Sequence, residues 1–103
     1  MAKYRRAARV DKNQTAIVKT LRKMGFSVMV GHDDILVGYR GNTYWYELKE
    51  PEQILTKSGE IKTSALKDSQ KKLLQTWKGH YAVVWNVKEI IDDIRNHDNV
   101  KGS

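Results

Sequence analysis

The stretch "DILVGYRGNTYWYELK", residues 34–49, decides how the chain is read. Its two halves are rich in aromatic and β-branched residues and flank a Gly41-Asn42 pair, the composition of two strands joined by a tight turn. With Gly41-Asn42 as a two-residue turn and glycine supplying the positive φ, Arg40 pairs with Thr43. That register sets Asp34 across from Lys49 and Leu36 across from Glu47. Because side chains alternate with a period of two, Asp34, Glu47 and Lys49 share one face, with Asp34 and Glu47 diagonal neighbours roughly 7–8 Å apart at Cα. The other face holds Ile35, Val37, Tyr39, Tyr44, Tyr46 and Leu48, a nearly unbroken apolar set that requires a core. A three-residue turn would pair Asp34 with Leu48 and split that set between the two faces, so the two-residue turn is favoured.

Working outward, Ile17, Val18, Leu21 and Met24 recur at helical spacing. Asp11 and Asn13 stand as candidate caps, and Gly25 as the stop. Residues 26–30 form a short apolar strand. Downstream, Pro51 and Ser58-Gly59 mark residues 50–63 as an irregular excursion or mobile flap. A helix is expected from about residue 64 to 77, with Leu66, Gln70, Leu73, Leu74 and Trp77 on one broad face. "YAVVWNV", residues 81–87, reads as a strand buried on both faces, and residues 88–95 as a short closing helix with Ile90, Ile91 and Ile94 inward. The expected organisation is a basic segment at 1–10, a single domain at 11–96 and a flexible tail at 97–103. A tight turn makes strands two and three antiparallel, whereas a helical crossover returns strand four parallel to strand three. The fold class is therefore α/β, a mixed four-stranded sheet flanked by helices.

Composition narrows the function. A chain of 103 residues, 40% hydrophobic, supports one core. It has no cysteine, which excludes disulfides and thiolate metal sites. No apolar run reaches the about 18 residues of a membrane span and no signal-peptide core is visible, so no membrane partner and a cytoplasmic location are expected. The charge is localised. Residues 1–30 carry eight Lys and Arg, including Lys3, Arg5, Arg6, Arg9 and Lys12, against the single acid Asp11, while residues 31–103 carry eleven of each sign. A cationic N-terminal third suits a phosphate backbone, and a solubilising extension is the alternative. Lys57 and Lys62 would extend that footprint.

On the polar face of the hairpin, two carboxylates offer hard oxygen ligands to Mg²⁺, and a lysine beside them can orient water or offset charge developing on a phosphate. A structural Asp–Lys cross-strand pair is the plainer alternative. Trp45 shares this face, where it would either stack on a base or pack under the following helix. Trp77 and Trp85 read as core, Met24 and Met29 as packing residues, His32 as a solvated turn histidine with a metal or general-base role as the alternative, and His80 and His97 as histidines without partners at metal-ligand spacing. Gln70, amid apolar neighbours, needs a polar partner.

These residues carry a resemblance. Asp34, Glu47-Leu48-Lys49, the preceding amphipathic helix and Gln70 on the following one resemble the PD-(D/E)XK nuclease superfamily, and more closely its small virus-type VRR-NUC branch, over roughly residues 5–95. The resemblance implies a restriction-endonuclease-like αβββαβ core plus a short C-terminal helix. It also implies a Mg²⁺-dependent (or Mn²⁺-dependent) endonuclease that hydrolyses DNA phosphodiester bonds, with branched or junction DNA as substrate and a homodimer as the assembly, in a bacterial host cytoplasm if phage-encoded. Asp34, Glu47 and the Leu48 carbonyl would bind the metal, Lys49 would orient the attacking water, and Gln70 would support the lysine or substrate. Two positions depart from the family pattern. Asp33 stands where the motif has proline and is expected to face away from Glu47; the first helix offers Gln14, Thr15 and Ala16 where relatives carry an acid, leaving Gln14 or Asn13 to support water or metal. The alternatives are an inactive nucleic-acid-binding module and an interaction subunit of a phage complex that retain the fold.

Overall fold

The computed structural model describes residues 2–102, with side chains described from residue 13 to residue 98. Helix α1 (Ala2–Lys23) leads into strands β1 (Ser27–Val30), β2 (Asp34–Tyr39) and β3 (Asn42–Leu48). A helical turn, α2 (Pro51–Ile54), and a 3₁₀ turn at Thr63–Ala65 precede α3 (Asp68–Thr76), β4 (Tyr81–Val84) and α4 (Val87–Gly102). The sheet order is β1-β2-β3-β4. The first two pairings are antiparallel and β3–β4 is parallel, as the crossover through α3 requires. The expected mixed, helix-flanked sheet is present.

The hairpin turn differs from expectation by one position. Tyr39 pairs with Asn42, so Arg40 and Gly41 form the turn, with φ of 50° and 81°. Two positive φ values in succession match the twist of a type I′ hairpin, and glycine takes the second without steric cost. Sliding a two-residue turn by one position moves every pairing by two residues and leaves the faces unchanged. Asp34 therefore lies directly across from Glu47, not from Lys49. Ile35, Val37, Tyr44, Tyr46 and Leu48 face the core as expected, while Tyr39 is exposed beside Phe26.

That core lies between one face of the sheet and the helices α1 and α4, and it includes Ile17, Val18, Leu21, Ile90 and Ile94. Helix α1 closes in a Schellman arrangement: the Phe26 N–H donates to the Leu21 carbonyl and Gly25 N–H to the Arg22 carbonyl, with Gly25 at φ 98°. Met24 falls beyond the helix and is exposed rather than packed, as is Met29. The helix begins at Ala2, ahead of the caps expected at Asp11 and Asn13, because "AKYRRAARV" contains no glycine or proline to interrupt it. Likewise α4 runs to Gly102 instead of ending near residue 95; His97 continues its inward face and reaches Tyr44.

A second, smaller cluster covers the other face near β4, where Ile54, Leu66 and Val83 are buried with Leu55, Ala65 and Trp85 against them. With Val84 in the main core, β4 is buried on both faces at its end, as its composition suggests. The segment 50–63 is more ordered than a flap: α2 buries Ile54 completely and Leu55 bridges Ile61. The apolar face expected from 64 to 77 is only half used, since Leu66 is buried while Leu74 and Trp77 are exposed.

Candidate active site

The hairpin places two acids side by side at the end of the sheet. Asp34 begins β2 directly opposite Glu47 of β3, and Lys49 follows on the same face. Glu47 is only 4% exposed. Its Oε1 accepts a long hydrogen bond of 3.5 Å from the Tyr81 hydroxyl, and its Oε2 is buried with no hydrogen-bond partner. Lys49 Nζ stands 3.8 Å from Oε2, close enough to offset charge but too far to donate. Burial first, then the negative charge of Asp33, push the Glu47 carboxyl up to about 7; Lys49 opposes the shift, and Asp34 adds to it more weakly than Asp33. Burial and the Glu47 charge also raise the Tyr81 phenol above its ordinary value.

Asp34 is held differently. Its Oδ2 accepts a 2.7 Å hydrogen bond from Trp45 Nε1. Its Oδ1 lies so close to Gly31 that a Cβ there would collide with it. Gly31 thus makes room for the aspartate, and its N–H donates to the Asp34 carbonyl at 2.8 Å. Trp45 in turn meets the edges of Trp77 and Tyr81 at ring-centroid distances of 5.2 and 4.7 Å. It therefore packs beside the helical segment and also braces Asp34. Trp77, read as core, is half exposed against it.

A cleft of about 120 Å³ opens beside these residues, lined by Asn13 and Gln14 of α1, by Asp33, by Leu48 and Lys49, and by Glu50 and Gln53. Asn13 and Gln14 thus share a cleft with Lys49, although Asp34 and Glu47 are not among its lining residues. Gln14, however, is buried with its Nε2 donating to the carbonyls of Gly31 and Asp34, both at 3.2 Å. It clamps the β1–β2 connection to α1, a task that an acid could not perform because a carboxylate has no proton to donate. Leu48 lines the cleft, and its N–H donates to the Asp33 carbonyl.

Gln70 is buried as expected, but its Oε1 accepts the Lys67 N–H at 2.9 Å, closing the first turn of α3. That bond is local, and among the described contacts none joins Gln70 to Lys49 or to the carboxylates. Lys57 is exposed and Lys62 half-buried in the connection after α2; neither lines the cleft. The side chains of Lys3, Arg5, Arg6, Arg9 and Lys12 lie outside the described ones.

No family model, curated protein or solved structure matches the chain. No helix among the described residues is long and apolar enough to cross a membrane.

Asp34, Glu47 and Lys49 lie on one face of the hairpin, as the alternation of side chains predicts. Alternation predicts that Asp33 points away from Glu47, but residues 32 and 33 form a bend outside β2, and Asp33 lines the cleft beside Lys49. Tyr81 was missed, because its approach depends on the parallel register of β4, which pairs Trp45 with Tyr81. Among the described residues no group of three or more His, Cys, Asp and Glu is arranged to hold a metal ion. Two carboxylates and a backbone carbonyl are nonetheless a donor set suited to Mg²⁺, which keeps several waters and needs few protein ligands. The partnerless Oε2 of Glu47 is an oxygen that such a cation would satisfy.

Proposed function

We propose that this chain is a Mg²⁺- or Mn²⁺-dependent nuclease that hydrolyses DNA phosphodiester bonds. The observation that carries the reading is Glu47, a carboxylate buried to 96% by its 4% exposure, with one oxygen unpartnered and Lys49 beside it. A purely structural residue at this position would be better served by an amide or an apolar side chain, since burying a carboxylate with an unmet oxygen costs several kcal/mol, on the order of 1–3 for the oxygen alone. Function is the reason to retain it.

In this reading Asp34, Glu47 and the Leu48 carbonyl would hold the cation. When bound, the divalent ion supplies Lewis-acid activation of water and of the scissile phosphate. Lys49 reaches the same space and orients the attacking water while balancing charge that builds on the phosphoryl oxygens. Gln14 keeps the acidic connection seated against α1, and Trp45 fixes the start of β2. Branched DNA as preferred substrate and a homodimer as the assembly rest on the family resemblance.

One observation favours a second reading, a DNA-binding module without catalysis. Gln14, Thr15 and Ala16 stand on the first helix where the resembled family carries an acid, and the Gln14 amide is committed to backbone carbonyls. Labelled duplex, flap and four-way-junction DNA incubated with Mg²⁺, Mn²⁺ or EDTA separate the two. The nuclease reading expects cleavage with either metal, none with EDTA, and a loss of about 100-fold or more in Lys49→Ala. Binding without cleavage under both metals selects the module.

A further inference from the structure

We propose that the groove between the C-terminal end of α1 and the edge strand β1 holds the sugar–phosphate chain of one DNA strand and leads it to Lys49. Lys19, Arg22 and Lys23 neutralise its phosphates. The inference deepens the nuclease reading by naming the path of its substrate, and it rests on that reading for Lys49 as the destination.

Lys19, Arg22 and Lys23 stand at i, i+3 and i+4 near the end of α1, so the three cations share one side of the helix. That side borders a groove of about 550 Å³, lined also by Val18, Val30 and Gln14, with no acid among its lining residues. All three cations are exposed, and among the described residues none of them pairs with a carboxylate. The described ion pairs lie elsewhere, at Arg40, Lys49, His80 and Lys88. A concave surface carrying charge of one sign focuses its field outward and draws a polyanion.

Continuity with the candidate site identifies the polyanion. Gln14 lines both this groove and the cleft that contains Lys49, so the two concavities meet at one residue. Its amide is fixed by the carbonyls of Gly31 and Asp34, which makes it a neutral saddle between them. A strand laid along the groove crosses that saddle to Lys49, whose Nζ stands 3.8 Å from the Glu47 carboxylate. The other occupant of such a place is a second copy of the chain, adding a strand to the free edge of β1. Arg22 disfavours it: its Nη2 donates to the Val28 carbonyl at 2.9 Å, filling an acceptor that an added strand would need. That bond uses one of five guanidinium N–H groups, so Arg22 is held at the groove with donors left for a phosphate.

Fluorescence anisotropy of labelled duplex DNA, titrated in EDTA at several salt concentrations, tests the path. One variant joins Lys19→Gln to Lys23→Gln, and a second joins Lys19→Arg to Lys23→Arg, which keeps the charge. A control for net charge joins Lys72→Gln to Arg95→Gln, two exposed cations that line neither the groove nor the cleft. Arg22 stays, because its bond to Val28 is structural. Each phosphate contact contributes about 0.9 to the slope of log K against log salt, so the glutamine pair should lower the slope by about 1.8. The arginine pair and the control should keep the wild-type slope. A glutamine pair with the wild-type slope, or an arginine pair or control that loses as much, overturns the groove assignment and leaves the nuclease reading to wild-type cleavage with Mn²⁺. A wild type that shows the expected groove dependence and never cuts overturns the nuclease reading alone. A wild type that binds no DNA overturns both.

Discussion

Replacing Glu47 with glutamine should make the metal-free protein more stable at alkaline pH and leave it little changed in acid. Glu47 has a folded-state pKa raised from 4.5 to about 7, chiefly by burial. A carboxyl raised in this way favours folding while protonated. Its contribution is fully present below the unfolded value of 4.5 and is lost as pH rises through about 7. At about 1.4 kcal/mol for each pH unit, the full loss is about 3 kcal/mol. Glutamine has the same shape and no charge to bury, so it escapes that loss. Urea unfolding in EDTA, performed at pH 5 and at pH 8.5, should therefore show Glu47→Gln gaining about 2–3 kcal/mol on wild type between the two conditions. Saturating Mn²⁺ should narrow or reverse the gap, because only wild type has the carboxylate that binds it. A Glu47→Gln advantage that does not change with pH would refute the argument that a buried, ionising carboxylate dominates this site.

Other predictions follow from single contacts. Gln14→Glu should cost about 2 kcal/mol, because it sets a carboxylate against the carbonyls of Gly31 and Asp34; chemical denaturation measures it, and an equally stable variant would contradict it. Arg40→Asn should raise stability by about 0.5–1 kcal/mol, since asparagine accepts the left-handed turn position more readily and the exposed Arg40–Asp98 ion pair contributes little. A drop in the thermal midpoint would show that the ion pair outweighs the turn. Tyr46→Phe should cost about 1–2 kcal/mol by removing the 2.6 Å hydrogen bond to Asp93, which also holds His80, and it should leave cleavage intact.

The face on which each hairpin residue lies could be read from the sequence, because the period of two and the apolar set Ile35, Val37, Tyr44, Tyr46 and Leu48 admit one solution. The partner across the ladder could not. Asn42 is as good a turn residue as any, and nothing local announces that Arg40 accepts a positive φ so that Tyr44 and Tyr46 can stack toward His80, Asp93 and His97. The same limit explains Asp33: strand periodicity predicts its direction only while the chain remains a strand. Gln70 was visible as a buried amide in need of a partner, but a capping bond to Lys67 and a bond to Lys49 meet that need equally well from sequence alone. Helical spacing predicts Leu74 and Trp77 inward, yet α3 meets the sheet at β4 and ends at Thr76, leaving Leu74 and the capping Trp77 exposed.

Cleavage by Glu47→Gln tests the central claim most directly, because the substitution is predicted to stabilise the fold that it should inactivate. Single-turnover cutting of labelled DNA with saturating Mn²⁺, at an alkaline pH where wild type is ionised, should fall by about 100-fold or more in the variant while DNA binding persists. A variant that cuts as fast as wild type, or a wild type that binds DNA and never cuts, would contradict the account.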